Sequence, residues 1–289
     1  MAFRINQLTQ HRPTKEPHYY KNQEFAQYLA GVIDARGQFT DDGGVELQYR
    51  LRDARNAYAL RSLLGHGKVR IKTQKGIQRA ILRIDGLLGF REISLHIHGN
   101  LRNPKRIQEF NHIFYEKLKF IRIPTPSNQP IQWDSPWLAG LADGSGSFLN
   151  LTVRMEVFRR RHQARISFEM TIDNKWLLSQ IKDRFGGYVV QSKVQKGLYH
   201  YSTVAGKFKT VYQIIKYFDK YPPQYHFFYL RYTVVRKAWL ILQQEEYYHP
   251  RRTKGLTQAG LIKMMTACHR HIPKSNVLNI TQSHKEIIA

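Results

Sequence analysis

Apolar and polar positions alternate along this chain in two periods, and the two periods follow each other in the same order twice. Ser135 is a good helix N-cap with Pro136 at the favoured first position, so a helix is expected to begin there. Helical spacing returns at Leu60, Leu63 and Leu64, and again at Leu177, Leu178, Ile181 and Phe185. Each of these stretches runs into a glycine stop, Gly65 or Gly186. Strand spacing appears where Val69 and Ile71 alternate with Lys68, Arg70 and Lys72, so one face is apolar and the other basic. Hairpins are expected to turn at Gln74-Lys75-Gly76 and Gln195-Lys196-Gly197, each followed by a last helix, Arg106–Lys119 or Val211–Asp219. Tyr and Phe interleave over Tyr225–Tyr232 at helical spacing, which favours core over a stacking surface for unpaired bases.

The repetition reaches the residues themselves. Leu29-Ala30-Gly31-Val32-Ile33-Asp34-Ala35-Arg36-Gly37 recurs 109 residues later as Leu138-Ala139-Gly140-Leu141-Ala142-Asp143-Gly144-Ser145-Gly146. Gly65 and Gly186 are 121 apart, as are the two Gln-Lys-Gly turns, so the first half is 12 residues shorter between motif and glycine. Two such halves imply a duplicated domain with a pseudo-two-fold axis. The chain divides into a basic N-terminal extension (1–23), a first repeat (24–120), a linker (121–134) holding Pro124, Pro126 and Pro130, a second repeat (135–243) and a basic C-terminal extension (244–289).

Charge narrows the partners. Lys and Arg number 46 against 21 Asp and Glu, a formal net charge of +25, which a compact fold tolerates best against a polyanion. Nucleic acid fits, because neutralising phosphates releases condensed counterions. A membrane does not: no basic amphipathic helix and no apolar run of about 18 residues is present. The first twenty-odd residues lack the apolar stretch of a secretory signal. A single cysteine, Cys268, permits neither an intramolecular disulfide nor a cysteine zinc site, and the 13 histidines show no metal-ligand spacing.

The paired motifs, with Gly99-Asn100-Leu101-Arg102-Asn103-Pro104, Phe110-Asn111, Leu177–Gly187 and Tyr217–Pro222, resemble the single-chain LAGLIDADG homing endonucleases over roughly residues 24–243. The resemblance implies an α+β fold: an αββαββα unit repeated twice, motif helices packed on the central axis, and two antiparallel sheets forming a saddle over nucleic acid. Ala30, Gly31, Ala139 and Gly140 would then let the two helices approach closely. In the family the eighth motif residue is an acid, and the pair of acids holds divalent metals that clamp a phosphodiester during its cleavage. Here those positions are Arg36 and Ser145. A permanent cation and a neutral hydroxyl are poor ligands for magnesium, so no catalytic residue, metal or cofactor is assigned unless Mg2+ is held in some other way. Asp34 and Asp143, two residues earlier, lie about 200° round the helix and read as structural.

Nucleic-acid contacts are expected at Lys68, Arg70 and Lys72 on the saddle floor and at Arg102, Lys105 and Arg106. Arg154, Arg159, Arg160, Arg161 and Arg165 on the long second arm, Lys193 and Lys196 at a hairpin tip, and Arg251, Arg252 and Lys254 in the tail complete the set. The first arm has shrunk to an acidic turn, Asp41-Asp42-Gly43-Gly44, unsuited to a long duplex read symmetrically. The function expected is a catalytically inactive, monomeric RNA-binding protein of an organelle, mitochondrion or chloroplast. It would serve in a ribosome beside neighbouring ribosomal proteins, or in another ribonucleoprotein. The alternatives are a group I intron maturase, an active intron-encoded endonuclease, and a DNA-binding repressor.

Overall fold

The computed structural model describes residues 20–74, 76–113, 130–156, 161–192, 196–203 and 208–244, with short pieces at 248–249, 255–256, 259–260, 262–263 and 266. The first half runs α1 (Asn22–Arg36), β1 (Gln38–Phe39), β2 (Val45–Arg50), α2 (Ala54–Leu64), β3 (Lys68–Gln74), β4 (Ile77–Ile84), α3 (Leu87–Ile97) and α4 (Pro104–His112). The second runs α5 (Trp137–Ser145), β5 (Phe148–Glu156), β6 (Arg161–Ile172), α6 (Lys175–Phe185), β7 (Tyr188–Gln191), β8 (Tyr199–Ser202), α7 (Phe208–Lys220) and α8 (His226–Leu242), followed by short strands β9 (Tyr248–His249) and β10 (Gly255–Leu256). The duplicated α+β architecture stands, with one addition in each half: a second helix after the hairpin. Gly99, at φ +75°, turns the chain between α3 and α4, a left-handed conformation suited to glycine. Of the apolar positions expected on α2, Leu60 and Leu64 are buried with Ala57 but Leu63 is exposed, because the buried stripe takes steps of three and four. Residues 1–19, 114–129 and most of 245–289 lie outside the described residues, and with them the tails, most of the linker and the end of the helix expected to Lys119.

All strand pairs among the described residues are antiparallel. The first sheet has the order β1-β2-β4-β3. In the second, β6 pairs with β5 along one edge and with β8 on the other, where β7 follows, and β10 meets it near His162. The arm difference read from the repeat offset is visible: β5 and β6 are 9 and 12 residues long, while β1 has 2 and turns at once into β2. The turns at Gly76 (φ +76°) and Gly197 (φ +85°) close the two β-hairpins expected there. Among the described residues, no helix is long and apolar enough to cross a membrane.

The motif helices α1 and α5 cross at their glycines. A Cβ on Gly31 would stand 2.0 Å from the Trp137 carbonyl oxygen, and one on Gly140 would stand 1.9 Å from the Tyr28 carbonyl oxygen. Trp137 precedes Gly140 by three residues as Tyr28 precedes Gly31, so the contact is reciprocal, as a two-fold axis requires. Ala30 and Ala139 are fully buried at the same crossing. Around this axis Leu47, Leu82 and Ile84 from the first sheet and Phe168, Met170 and Tyr201 from the second join one continuous core.

Candidate nucleic-acid interface and the helix seam

Alternation along the first sheet sends Leu47, Tyr49, Ala80 and Leu82 into the core. The opposite face therefore carries rows of cross-strand partners. Arg50, Arg79 and Lys72 form one row, Gln48, Ile81 and Arg70 the next, and Glu46, Arg83 and Lys68 the third. Lys68, Arg70 and Lys72 are exposed, so the expected basic floor forms as a surface. Arg50, Arg79 and Arg83 belong to it as well and were missed. The signal was their two-residue alternation with core residues in β2 and β4. The acidic turn is partly neutralised within its own sheet. Asp42 folds back onto Arg83, whose guanidinium also reaches Glu46 at 2.8 Å and Asp85 at 3.3 Å. In the second sheet the outer face presents exposed Tyr188 and Val190 on β7, where the first sheet's outer strand presents lysine and arginine.

At the seam, α1 and α5 end side by side. Arg36, the last residue of α1, donates from its guanidinium to the Ser145 carbonyl oxygen at 3.0 Å. The macrodipole makes that carbonyl end of α5 partially negative, so the cation is well matched there. The Ser145 hydroxyl is buried, donates to the Ala142 carbonyl at 3.1 Å and lies 2.6 Å from the Ser147 hydroxyl. Among the described residues, no three His, Cys, Asp or Glu side chains converge as a metal would need. This donor set does not fit a divalent cation: the seam presents a guanidinium where hard anionic oxygens would be required.

The acids at the sixth motif positions, Asp34 and Asp143, are buried on the other flank of the seam and tie each half to the other. Asp34 accepts from the Trp137 indole of the opposite helix at 2.8 Å and from the backbone N–H groups of Arg102 and Asn103 at 2.7 and 3.0 Å. Asp143 accepts from the Tyr28 hydroxyl of the opposite helix and the Gln224 N–H, both at 2.8 Å, and from the Tyr225 N–H at 3.2 Å. Burial raises both carboxyls despite these donors, Asp34 to about 6 and Asp143 to about 7. The structural role expected of the two residues is what the geometry gives them.

Two expected contact residues are corrected. Arg102 is only 5% exposed and donates to the carbonyls of Pro130, Gly99 and Leu101, so it clamps the loop behind α1. Arg106 is 7% exposed and paired with Glu109 and Asp173. Arg106 lies where α4 meets the residues leading into α6, a junction between halves, and Lys105 reaches toward Asp173 at 3.6 Å beside it. Their clustering in sequence reflected a loop that must satisfy buried carbonyls and carboxylates. Arg102→Ala is expected to lower stability by about 2 kcal/mol in urea unfolding, through orphaned carbonyls. The nucleic-acid affinity of the folded protein should stay unchanged. Arg165 is exposed on β6 and Lys196 is exposed at its turn. The backbones of Arg154 and Arg161 pair within the long arm, opposite Gln163 and Glu156. Arg159, Arg160, Lys193, Arg251, Arg252 and Lys254 lie outside the described residues. Over Tyr225–Tyr232 the core reading holds for Phe228 and Tyr232, which are buried.

Comparison with known proteins agrees with this geometry. The family model described as LAGLIDADG endonuclease matches residues 138–239. An uncharacterized cox1 intron-2 37.2 kDa protein of Schizosaccharomyces pombe is 31% identical over 256 residues, covering 82% of this chain and 70% of its own. The intron-encoded DNA endonuclease ai2b of Dictyostelium discoideum is 23% identical over 68% of this chain and 72% of its own. The intron-encoded RNA maturase bI4 of Saccharomyces cerevisiae is 24% identical over 63% of this chain and 27% of its own. Among solved structures, the meganuclease I-SmaMI bound to uncleavable DNA superposes with a TM-score of 0.61 at 16% identity, covering 87% of this chain and 97% of that one. Two collinear motif helices, two antiparallel sheets and a relative of this identity and coverage place the chain in the LAGLIDADG endonuclease family.

Proposed function

We propose that this protein binds structured RNA and does not cut nucleic acid by a metal-dependent route. The observation that carries the reading is the Arg36 guanidinium held on the Ser145 carbonyl where the two motif helices end. Two-metal hydrolysis of a phosphodiester needs anionic oxygens to hold its ions, and a fixed guanidinium at that place repels them. The basic floor of the first sheet remains suited to a phosphate backbone. Unequal arms and unequal floors favour an irregular ligand over a long symmetric duplex, and exposed Tyr188 offers a ring on which an unpaired base can stack. The similarity to an intron-encoded RNA maturase supports intron RNA, and hence a splicing role, ahead of a ribosomal one. A cox1 intron product among the relatives supports a mitochondrial setting. The second reading, an active endonuclease, rests on the similarity to an intron-encoded DNA endonuclease.

A titration with two labelled ligands of equal length, a folded group I intron RNA and a duplex DNA, tests the proposal. The RNA is expected to bind at least about tenfold more tightly, roughly 1.4 kcal/mol, at matched salt. Duplex DNA binding as tightly as the RNA would count against it.

A further inference from the structure

The charge at the seam is more than the loss of two acids. Arg36, at the end of α1, holds the Ser145 carbonyl one residue before Gly146, while Arg50 and Arg79 are cross-strand partners on the floor of the first sheet. Arg50 reaches across to the other half: a Cβ on Gly146, just past α5, would lie 3.2 Å from its guanidinium nitrogen. Arg52 follows on the same side, its guanidinium 3.7 Å from the centre of the Phe227 ring, and Arg231 from α8 lies 5.4 Å from that ring. Five guanidiniums from both halves thus belong to this region, Arg36 and Arg50 at the end of α5 itself, and Asp53 and Glu169 are among the carboxylates near them. Arg36, Arg50 and Arg52 keep exposed surface, so the group is open to a ligand.

We propose that these arginines form a phosphate clamp, which holds a nucleic-acid phosphodiester directly on guanidiniums at the seam of the two motif helices. The inference rests on the RNA-binding reading for its natural ligand but not for its chemistry. Several planar forks converging from different elements suit the tetrahedral oxygens of a phosphate, to which arginine binds in bidentate fashion. Partial burial and mutual repulsion draw the pKa of Arg36, Arg50 and Arg231 downward, although Arg36 and Arg50 retain an open edge to solvent. A cluster that repels itself is stabilised by an anion placed among its members. Register continues the site outward, since Arg50 and Arg79 stand in one row with Lys72, so a strand crossing the floor would meet the clamp at the row's inner end.

The test uses the full chain, with Arg50→Gln and Arg50→Lys as variants and circular dichroism to verify folding. Inorganic phosphate, compared with chloride at equal ionic strength, is expected to raise the melting temperature of the unmodified protein and to raise that of Arg50→Gln less. For binding, a labelled single-stranded RNA and a random-sequence duplex DNA serve as probes, so the arms distinguish the source of the phosphodiester. In Arg50→Gln the slope of log K against log salt should fall by about 0.7 on single strands and about 0.9 on duplex, with about tenfold weaker binding. Arg50→Lys should keep the slope, because its charge remains, yet lose affinity with the fork. Equal phosphate protection in both proteins, or unchanged slope and affinity in Arg50→Gln, would overturn the clamp. Phosphate protection lost in Arg50→Gln, with RNA bound no better than duplex, would support the clamp while removing the RNA reading.

Discussion

Gly31→Ala and Gly140→Ala are each expected to lower stability by about 3 kcal/mol or more, a large fraction of the roughly 5–15 kcal/mol that holds an ordinary domain folded. The cost comes from position, because the added methyl would stand 2.0 Å from the Trp137 carbonyl oxygen or 1.9 Å from that of Tyr28. Backbone atoms in two packed helices cannot swing aside as a side chain can, so relief requires the helices to separate along their length. Everything else in the core is fastened to that pair. Urea unfolding followed by far-ultraviolet circular dichroism reads the loss as a lower midpoint at unchanged slope. Gly76→Ala makes a useful contrast: it has open space around its Cβ but a φ of +76°, and should cost only about 1–2 kcal/mol. Losses under about 1 kcal/mol at Gly31 and Gly140 would show that the helices are not held as close as described.

The second large effect is on pH dependence. Asp143 is buried, with Oδ2 receiving Tyr28, Gln224 and Tyr225, while Oδ1 has no hydrogen-bond partner among the described residues. Burial raises its carboxyl to about 7 in the folded protein, against about 4 for an exposed aspartate. A raised folded value means that the native state holds a proton the unfolded chain has released between those two pH values. Its stabilising contribution is therefore complete below about pH 4 and lost as pH rises toward 7. Asparagine at that position keeps an accepting oxygen and never ionises. Across that window Asp143→Asn should gain stability relative to the unmodified protein by about 4 kcal/mol, read from urea midpoints at several pH values. A difference independent of pH would mean that the carboxylate is ionised throughout and that its three donors outweigh its burial.

Legibility in the sequence followed the range of the interactions. The repeat, the α+β class, the hairpin glycines and the short first arm could be read because each rests on spacing or on local conformation. The extra helix α3 was missed, since nothing in Leu87–Ile97 repeats visibly in the second half and only tertiary contact with α1 gives it a place, whereas helical spacing over Tyr225–Tyr232 already marked the start of α8. Asp34 and Asp143 were assigned to structure correctly, but their partners were not foreseeable. Each carboxylate takes an aromatic donor from the opposite motif helix, and that pairing exists only once the two helices have crossed. The basic residues divide the same way. Lys68, Arg70 and Lys72 face outward as alternation requires, whereas Arg102 and Arg106 looked identical in sequence and are buried against carbonyls and carboxylates. The arginines at the seam come from α1, β2, the turn after β2, β4 and α8, so no window of sequence contains them together.

Strand scission tests the central claim most directly. The full-length protein is incubated with a randomised duplex DNA library and magnesium or manganese, and the products are sequenced for new ends. With Arg36 fixed on the Ser145 carbonyl, no breaks above those formed in the presence of chelator are expected. Breaks at a defined sequence that require the metal and vanish with chelator would contradict the account.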